Sequence, residues 1–253
     1  KRRRLLTQRL YSEFHIVALM GRKPRNSFLA ALRDPHRVHI IAEVKCASPS
    51  RGMMMSRERV PEMLSVYEEG KASAISVVTE EDHFGGSVAL LEEVVATTSL
   101  PVLRKDFVIE ETQIYESAEK GAAALLLIAR ILSEKRLRHF IGLCELLGMV
   151  PLVEVHDEED LQKALRAQAT VIGINNRDLA TLEVSLETTL RLLPLVPSHV
   201  VVVSESGIRR REEIMMLRKC GVRAFLIGET LLTSSEPLEK LRELKGEEEL
   251  ARC

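Results

Sequence analysis

Glu43 and Lys45 stand two residues apart at the end of the apolar run Ile40-Ile41-Ala42-Glu43-Val44-Lys45, just before the turn Ser48-Pro49-Ser50. Successive side chains in a strand alternate between faces, so the acid and the base point the same way where the strand gives onto a loop. A buried charge without a partner is not tolerated, so the pair must be joined, hydrated or held for proton transfer. Other apolar runs end in the same manner, at Glu80, Lys105, Glu154, Asn175 with Arg177, Glu205 with Ser206, and Gly228. Taken singly, Glu80 and Asp106 read equally as solvated loop acids, and Glu205 as the structural partner of a lysine. Taken together, the set is lysines and glutamates, with no nucleophilic Ser-His pair and no clustered metal ligands. That composition points to acid–base chemistry on a carbon skeleton with no metal and no cofactor. His83, His156 and His199 lie near run ends or in loops without a partner at a suggestive spacing, and are expected on the surface.

Such residues converge only if the runs are parallel strands of one sheet, and the intervening segments bear this out. Apolar runs at 40–45, 74–80, 101–106, 122–129, 150–155, 170–175, 200–205 and 222–228 alternate with helical patterns at 57–69, 87–97, 111–120, 133–147, 158–167, 186–193, 211–220 and 236–244. Unbroken apolar strands belong to a parallel sheet covered on both faces. About eight repeats of this kind predict an α/β chain folded as a (β/α)8 TIM barrel, in which strand ends meet at one mouth. An open doubly wound sheet would need fewer strands and a glycine-rich first turn, which 43–48 lacks. Residues 1–36 read as an N-terminal helical extension, with Leu5, Leu6, Leu10 and Tyr11 on one helix and Ser27–Arg33 on a second that Asp34-Pro35 stops. The whole chain, 1–253, is expected to be one barrel domain. Met53-Met54-Met55, in the first loop, is expected to fill an irregular gap against a helix.

With 253 residues, 45% hydrophobic and 29% charged, and a net charge of −1, the chain has ordinary globular composition. It carries no electrostatic footprint for nucleic acid and no apolar run long enough to span a membrane. Cys46, Cys144, Cys220 and Cys253 are scattered and read as reduced thiols of a cytoplasmic enzyme. Lys1-Arg2-Arg3-Arg4 reads as the start of a helix rather than the end of a targeting segment. The charged stretch from Leu244 to Cys253 is too short to begin another domain.

A separate signal concerns phosphate. Ser204-Glu205-Ser206-Gly207-Ile208 and Ile227-Gly228-Glu229-Thr230 each place a glycine after the seventh and eighth runs, where backbone N–H groups can approach an anion. Loops seven and eight form the recurrent phosphate cradle of this fold.

These residues resemble a known family, the indole-3-glycerol phosphate synthases of tryptophan biosynthesis. The likeness is carried by Ile41-Ala42-Glu43-Val44-Lys45 with Ser48-Pro49-Ser50, Ser76-Val77-Val78-Thr79-Glu80, Leu103-Arg104-Lys105-Asp106-Phe107, Leu152-Val153-Glu154-Val155-His156, Gly173-Ile174-Asn175-Asn176-Arg177-Asp178-Leu179 and Ser204-Glu205-Ser206-Gly207-Ile208. The resemblance implies ring closure of 1-(2-carboxyphenylamino)-1-deoxyribulose 5-phosphate with loss of carbon dioxide and water. It assigns Lys105 as general acid on the ketone oxygen, Lys45 and Glu43 to proton exchange in dehydration, and Glu154 to the anilino nitrogen. Asn175, Glu205 and Ser206 would orient hydroxyls and charges, and Arg177 would hold the substrate carboxylate. Ser206, Gly207, Gly228 and Glu229 would take the phosphate, mainly through backbone N–H, and Ser48 and Phe107 would contact the substrate. Cys46 departs from the family, where a basic residue is usual, but alternation turns it from the mouth. The implied partner is a small phosphorylated molecule, with the chain a monomer or weak homo-oligomer. A sibling phosphate-binding isomerase is expected to lack the Glu43, Lys45 and Lys105 trio, and a catalytically degenerate barrel to have lost one of those charges.

Overall fold

The structure, a computed structural model, describes residues 17–19, 27–49, 51–178 and 181–246. The barrel strands are β1 (His39–Val44), β2 (Ala74–Val78), β3 (Val102–Lys105), β4 (Ala124–Ile128), β5 (Val150–Val155), β6 (Val171–Asn175), β7 (Val201–Glu205) and β8 (Ala224–Ile227). Each pairs in parallel with the next, and β8 returns to β1, so the sheet closes without an edge. The helices are α1 (Phe28–Ala31), α2 (Val60–Glu69), α3 (Val88–Thr97), α4 (Glu111–Glu119), α5 (Glu134–Leu146), α6 (Glu158–Arg166), α7 (Glu187–Leu192), α8 (Arg211–Cys220), α9 (Glu229–Leu232) and α10 (Pro237–Lys245). Side-chain caps start several of them where the chain leaves a loop, from Ser87 to Leu90, Ser133 to Arg136 and Asp157 to Asp160.

The strands are buried on both faces, and their alternation splits the core in two. Ile40, Ala42 and Val44 of β1 join the cluster between sheet and helices, with Leu64, Tyr67, Leu91 and Leu137. Ile41, Leu103, Leu152 and Val203 face the barrel interior instead. These four come from β1, β3, β5 and β7, the alternate strands that build one layer of such a barrel. Two residues further along the same strands stand Glu43, Lys105, Glu154 and Glu205. The layer below the mouth is therefore apolar, and the layer at the mouth is charged.

Phe28 and Leu32, at 0% and 1% exposure, belong to the interior cluster, so the segment around α1 plugs the bottom of the barrel. Burying each such side chain contributes about 1.5–3 kcal/mol. The helix expected over Leu5–Tyr11 lies outside the described residues. Among the described residues no helix is long and apolar enough to cross a membrane.

The first loop departs from expectation. Ala47–Ser48 and Gly52–Met53 form a short antiparallel hairpin, anchored by Ala47 N–H on the carbonyl of Phe84. Only Met55 of the methionine run enters the core, at 4% exposure, whereas Met53 is 82% exposed. The run bridges core and solvent because the hairpin carries its first member away from the helices.

Candidate active site

Lys105 sits at the centre of the mouth because β3 alternates. Its neighbours Arg104 and Asp106 point outward, where both are buried and paired at 3.2 Å. Arg104 also donates to Thr79 Oγ1 at 3.0 Å, Glu116 Oε2 at 2.8 Å and Ser117 Oγ at 3.1 Å, tying the end of β3 to β2 and α4. Asp106 accepts from Thr79 Oγ1 and from the N–H of Phe107, which turns the chain after Lys105. Asp106 is therefore a buried brace, not a solvated loop acid.

Facing inward, Lys105 Nζ lies 3.4 Å from Glu154 Oε2 and 3.3 Å from Glu205 Oε2. Lys45 Nζ lies 2.5 Å from Glu43 Oε1. Glu43 is fixed from behind, since the buried Tyr67 hydroxyl of α2 donates to its backbone carbonyl at 3.0 Å. Two glycines give these carboxylates room. A Cβ on Gly173 of β6 would overlap Glu205 Oε1, and one on Gly228 would overlap Glu43 Oε1.

The charges settle one another. Burial opposes charge on Lys105, yet Glu205, Glu154 and Glu43 outweigh it and raise its pKa well above the lysine value. Burial likewise works against Glu43, but Lys45 and Lys105 hold it below the usual carboxylate range. Glu154 is held low despite burial, by Lys105, His156 and Asn175. Glu205 goes the other way: burial and the negative charge of Glu154 push it up against the pull of Lys105. Close carboxylates resist double ionisation, so burial beside Glu154 disfavours the charged form of Glu205.

His156 was expected at the surface and is not there. Its side chain is 3% exposed, between Glu154 and Asp160. His83 and His199 are exposed as expected. Glu80 is also buried, at 5%. Its carboxylate accepts from the N–H groups of Asp82, His83 and Phe84, folding the loop after β2 so that Phe84 reaches the pocket. Sequence reading missed Phe84, and the Glu80 turn was the signal that could have found it.

Val78, Phe84, Phe107, Leu126 and Ile128, from the β2 to β4 side, give the cleft a largely apolar wall. Opposite lie Asn175, Arg177, Ser206, Gly207, Gly228 and Glu229. Ser206 and Gly207 take φ values of +66° and +84°, a left-handed pair that turns the backbone sharply at the end of β7. Asn176, 2% exposed, fixes that turn. Its Nδ2 donates at 3.0 Å to Ser204 Oγ and to the carbonyls of Glu205 and Ser206. The Glu229 carboxylate lies 2.7 Å from Arg51 of the first loop and 3.4 Å from Arg177, linking three loops across the mouth. Ser48, expected to touch substrate, is 9% exposed in the hairpin and does not line the cleft. Glu205 lies beneath the cleft floor, reached through Lys105.

Fold and mouth define a (β/α)8 barrel with paired lysines and glutamates at the carboxyl ends of its strands, where enzymes of this fold carry their active sites. The sequence model of indole-3-glycerol phosphate synthase matches residues 2–244. The chain belongs to the indole-3-glycerol phosphate synthase family, carboxy-lyases of tryptophan biosynthesis that act on a small phosphorylated substrate. A relative of that name from Desulforamulus reducens is 42% identical over 222 residues, covering 87% of this chain and 84% of its own. Another, from Acetivibrio thermocellus, is 46% identical over 219 residues, covering 87% and 84%. Solved structures share the fold at low identity. A mutant tryptophan synthase α-subunit from Pyrococcus furiosus has a TM-score of 0.63 at 14% identity, over 83% of this chain and 98% of its own. The N-acetylmannosamine-6-phosphate 2-epimerase of Clostridium perfringens has a TM-score of 0.63 at 13% identity, over 90% and 95%.

Proposed function

We propose that this mouth closes the indole ring of 1-(2-carboxyphenylamino)-1-deoxyribulose 5-phosphate, releasing carbon dioxide and water, with Lys105 as the first proton donor. The observation that carries the reading is the placement of the Lys105 ammonium between Glu154 and Glu205 on the floor of a cleft with one apolar and one polar wall. Ring closure needs an acid at the ketone oxygen while the aromatic carbon attacks, and an ammonium that stays charged in a buried site supplies it. The apolar wall suits the aryl ring. The bound carboxylate leaves as carbon dioxide. Lys45 and Glu43 then serve dehydration, one proton going to the departing hydroxyl and one being taken from the new ring.

Glu154 faces the anilino nitrogen, Asn175 and Ser206 orient the sugar hydroxyls, and Glu205 orients the charged Lys105 from below. Arg177, with its planar fork, receives the substrate carboxylate, an exchange of partners for a group now beside Glu229. Backbone N–H groups of Ser206, Gly207, Gly228 and Glu229 receive the phosphate, and the left-handed turn at Ser206-Gly207 supports this reading. Phe107 packs on the substrate from the end of β3.

The test is direct. The purified chain is mixed with the carboxyphenylamino ribulose phosphate, and indole fluorescence is followed. Sustained turnover is expected. No product at high protein concentration would instead leave a barrel that keeps the charges without the reaction.

A further inference from the structure

His156 is unassigned in the acid–base set, yet it touches it. Nε2 lies 3.3 Å from Glu154 Oε1, the oxygen that Lys105 does not hold, and Nδ1 lies 3.6 Å from Asp160 Oδ2. Both ring nitrogens are buried and neither makes an aligned hydrogen bond. A neutral imidazole carries one N–H and one lone pair, so it would turn a lone pair toward a carboxylate at one end or the other. Only the doubly protonated ring satisfies both sides.

The surroundings fix the ring from other elements. Asp160, 3% exposed, belongs to the first turn of α6 and accepts from the His156 backbone N–H at 3.3 Å. Arg130, after β4, lies 3.2 Å from Asp160 Oδ2 and also pairs with Asp157, while Lys163 stands 3.8 Å from Asp160 Oδ1. Beyond Glu154 come Lys105 of β3, Glu205 of β7 and Asn175 of β6. The groups thus form one chain of contacts from the α6 start to the floor of the cleft: Arg130, Asp160, His156, Glu154, Lys105, Glu205.

We propose that His156 is a positioning residue that acts through Glu154, gripping its Oε1 so that Oε2 faces Lys105. This rests on the acid–base reading of the mouth given above. Electrostatics agree with the geometry. Burial acts against charge on His156, but Asp160 and Glu154 override it and bring its pKa up to about 9.

Two measurements test it. The first needs no substrate: nitrogen NMR of the His156 ring in the intact protein. Two protonated nitrogens at pH 7.5 are expected, and a neutral ring at that pH overturns the proposal whether or not the chain makes indole-3-glycerol phosphate. The second uses His156→Gln, which keeps a donor for Glu154 but removes the charge. An opposite charge at this distance shifts a carboxylate by about one to three pH units. The acid limb of the kcat/KM profile is therefore expected to move up by about one unit, with kcat lowered about tenfold and KM changed less than about threefold. Asp160→Asn is expected to move the limb the same way by less. A purely structural histidine would lower the thermal midpoint and leave the limb in place. An unmoved limb in a folded His156→Gln variant overturns the proposal. If that variant fails to fold, the Asp160→Asn profile and the NMR result decide.

Discussion

Gly173 is bare because Glu205 occupies the space its side chain would fill: a Cβ there would overlap the Glu205 Oε1 atom. The glycine sits on β6, and Glu205 comes inward from β7, where Asn175 and Glu205 are register partners. Shape and charge are thus set by two adjacent strands, one giving way for the other.

Gly173→Ala separates these effects. The colliding atom is the end of a side chain rather than backbone, so the barrel can absorb the methyl by moving the carboxylate, at about 1–3 kcal/mol of overpacking. The displaced Glu205 leaves its contact with Lys105. A fall in kcat of about ten- to a hundredfold is expected, with the protein folded by circular dichroism. Full activity would mean that the contact of Glu205 with Lys105 does not matter to turnover.

Asn176 offers the complementary case, a residue that touches no reacting atom. Besides holding the 204–206 segment, its Oδ1 accepts from the Thr189 N–H at 3.2 Å and the Thr189 hydroxyl at 2.8 Å. Asn176→Ala leaves several buried polar groups unpaired, at about 1–3 kcal/mol for each that finds no replacement. The expected signature is a lower melting temperature and a KM raised about tenfold, because the Ser206-Gly207 turn loses its anchor. A lower melting temperature with KM unchanged would detach this network from substrate binding.

Stability should record the charge on His156. The folded chain raises its pKa from 6.5 to about 9, so the imidazolium is favoured in the folded state. Its contribution is full below about pH 6.5, declines as pH rises, and is gone above about pH 9. Comparing urea midpoints of the parent protein and His156→Gln from pH 6 to 9.5 isolates it. The difference between them should shrink as pH rises. A constant difference would mean that folding leaves the pKa of the ring at its unfolded value, and a difference that grows with pH would mean that the folded ring is neutral.

What the sequence made legible follows from periodicity. Glu43, Lys45, Lys105, Glu154 and Glu205 each end an apolar run, and a period of two turns that position into a direction. The closed sheet then brings the directions together. Relationships between elements were harder to read. His156 looked unpartnered because Asp160 belongs to the next helix, and the chain reversal at Asp157 brings it back. Glu229 pairs with Arg51, 178 positions earlier, through the closure of β8 onto β1. Ser48, read as a candidate substrate contact at the hinge of the first loop, pairs with Gly52 in a hairpin that periodicity did not show. Gly173 carried a signal that went unread: a lone glycine inside a strand marks a close approach, and here the approaching group is catalytic by proposal.

The central claim, that the Lys105 ammonium held by Glu154 and Glu205 drives ring closure, is tested most directly by Lys105→Met. The substitution keeps the length and the apolar stem and removes only the charge. Single-turnover formation of indole-3-glycerol phosphate is expected to slow by about two to four orders of magnitude, with the melting temperature and far-ultraviolet spectrum of a folded barrel. A rate within a few-fold of the parent protein would contradict it.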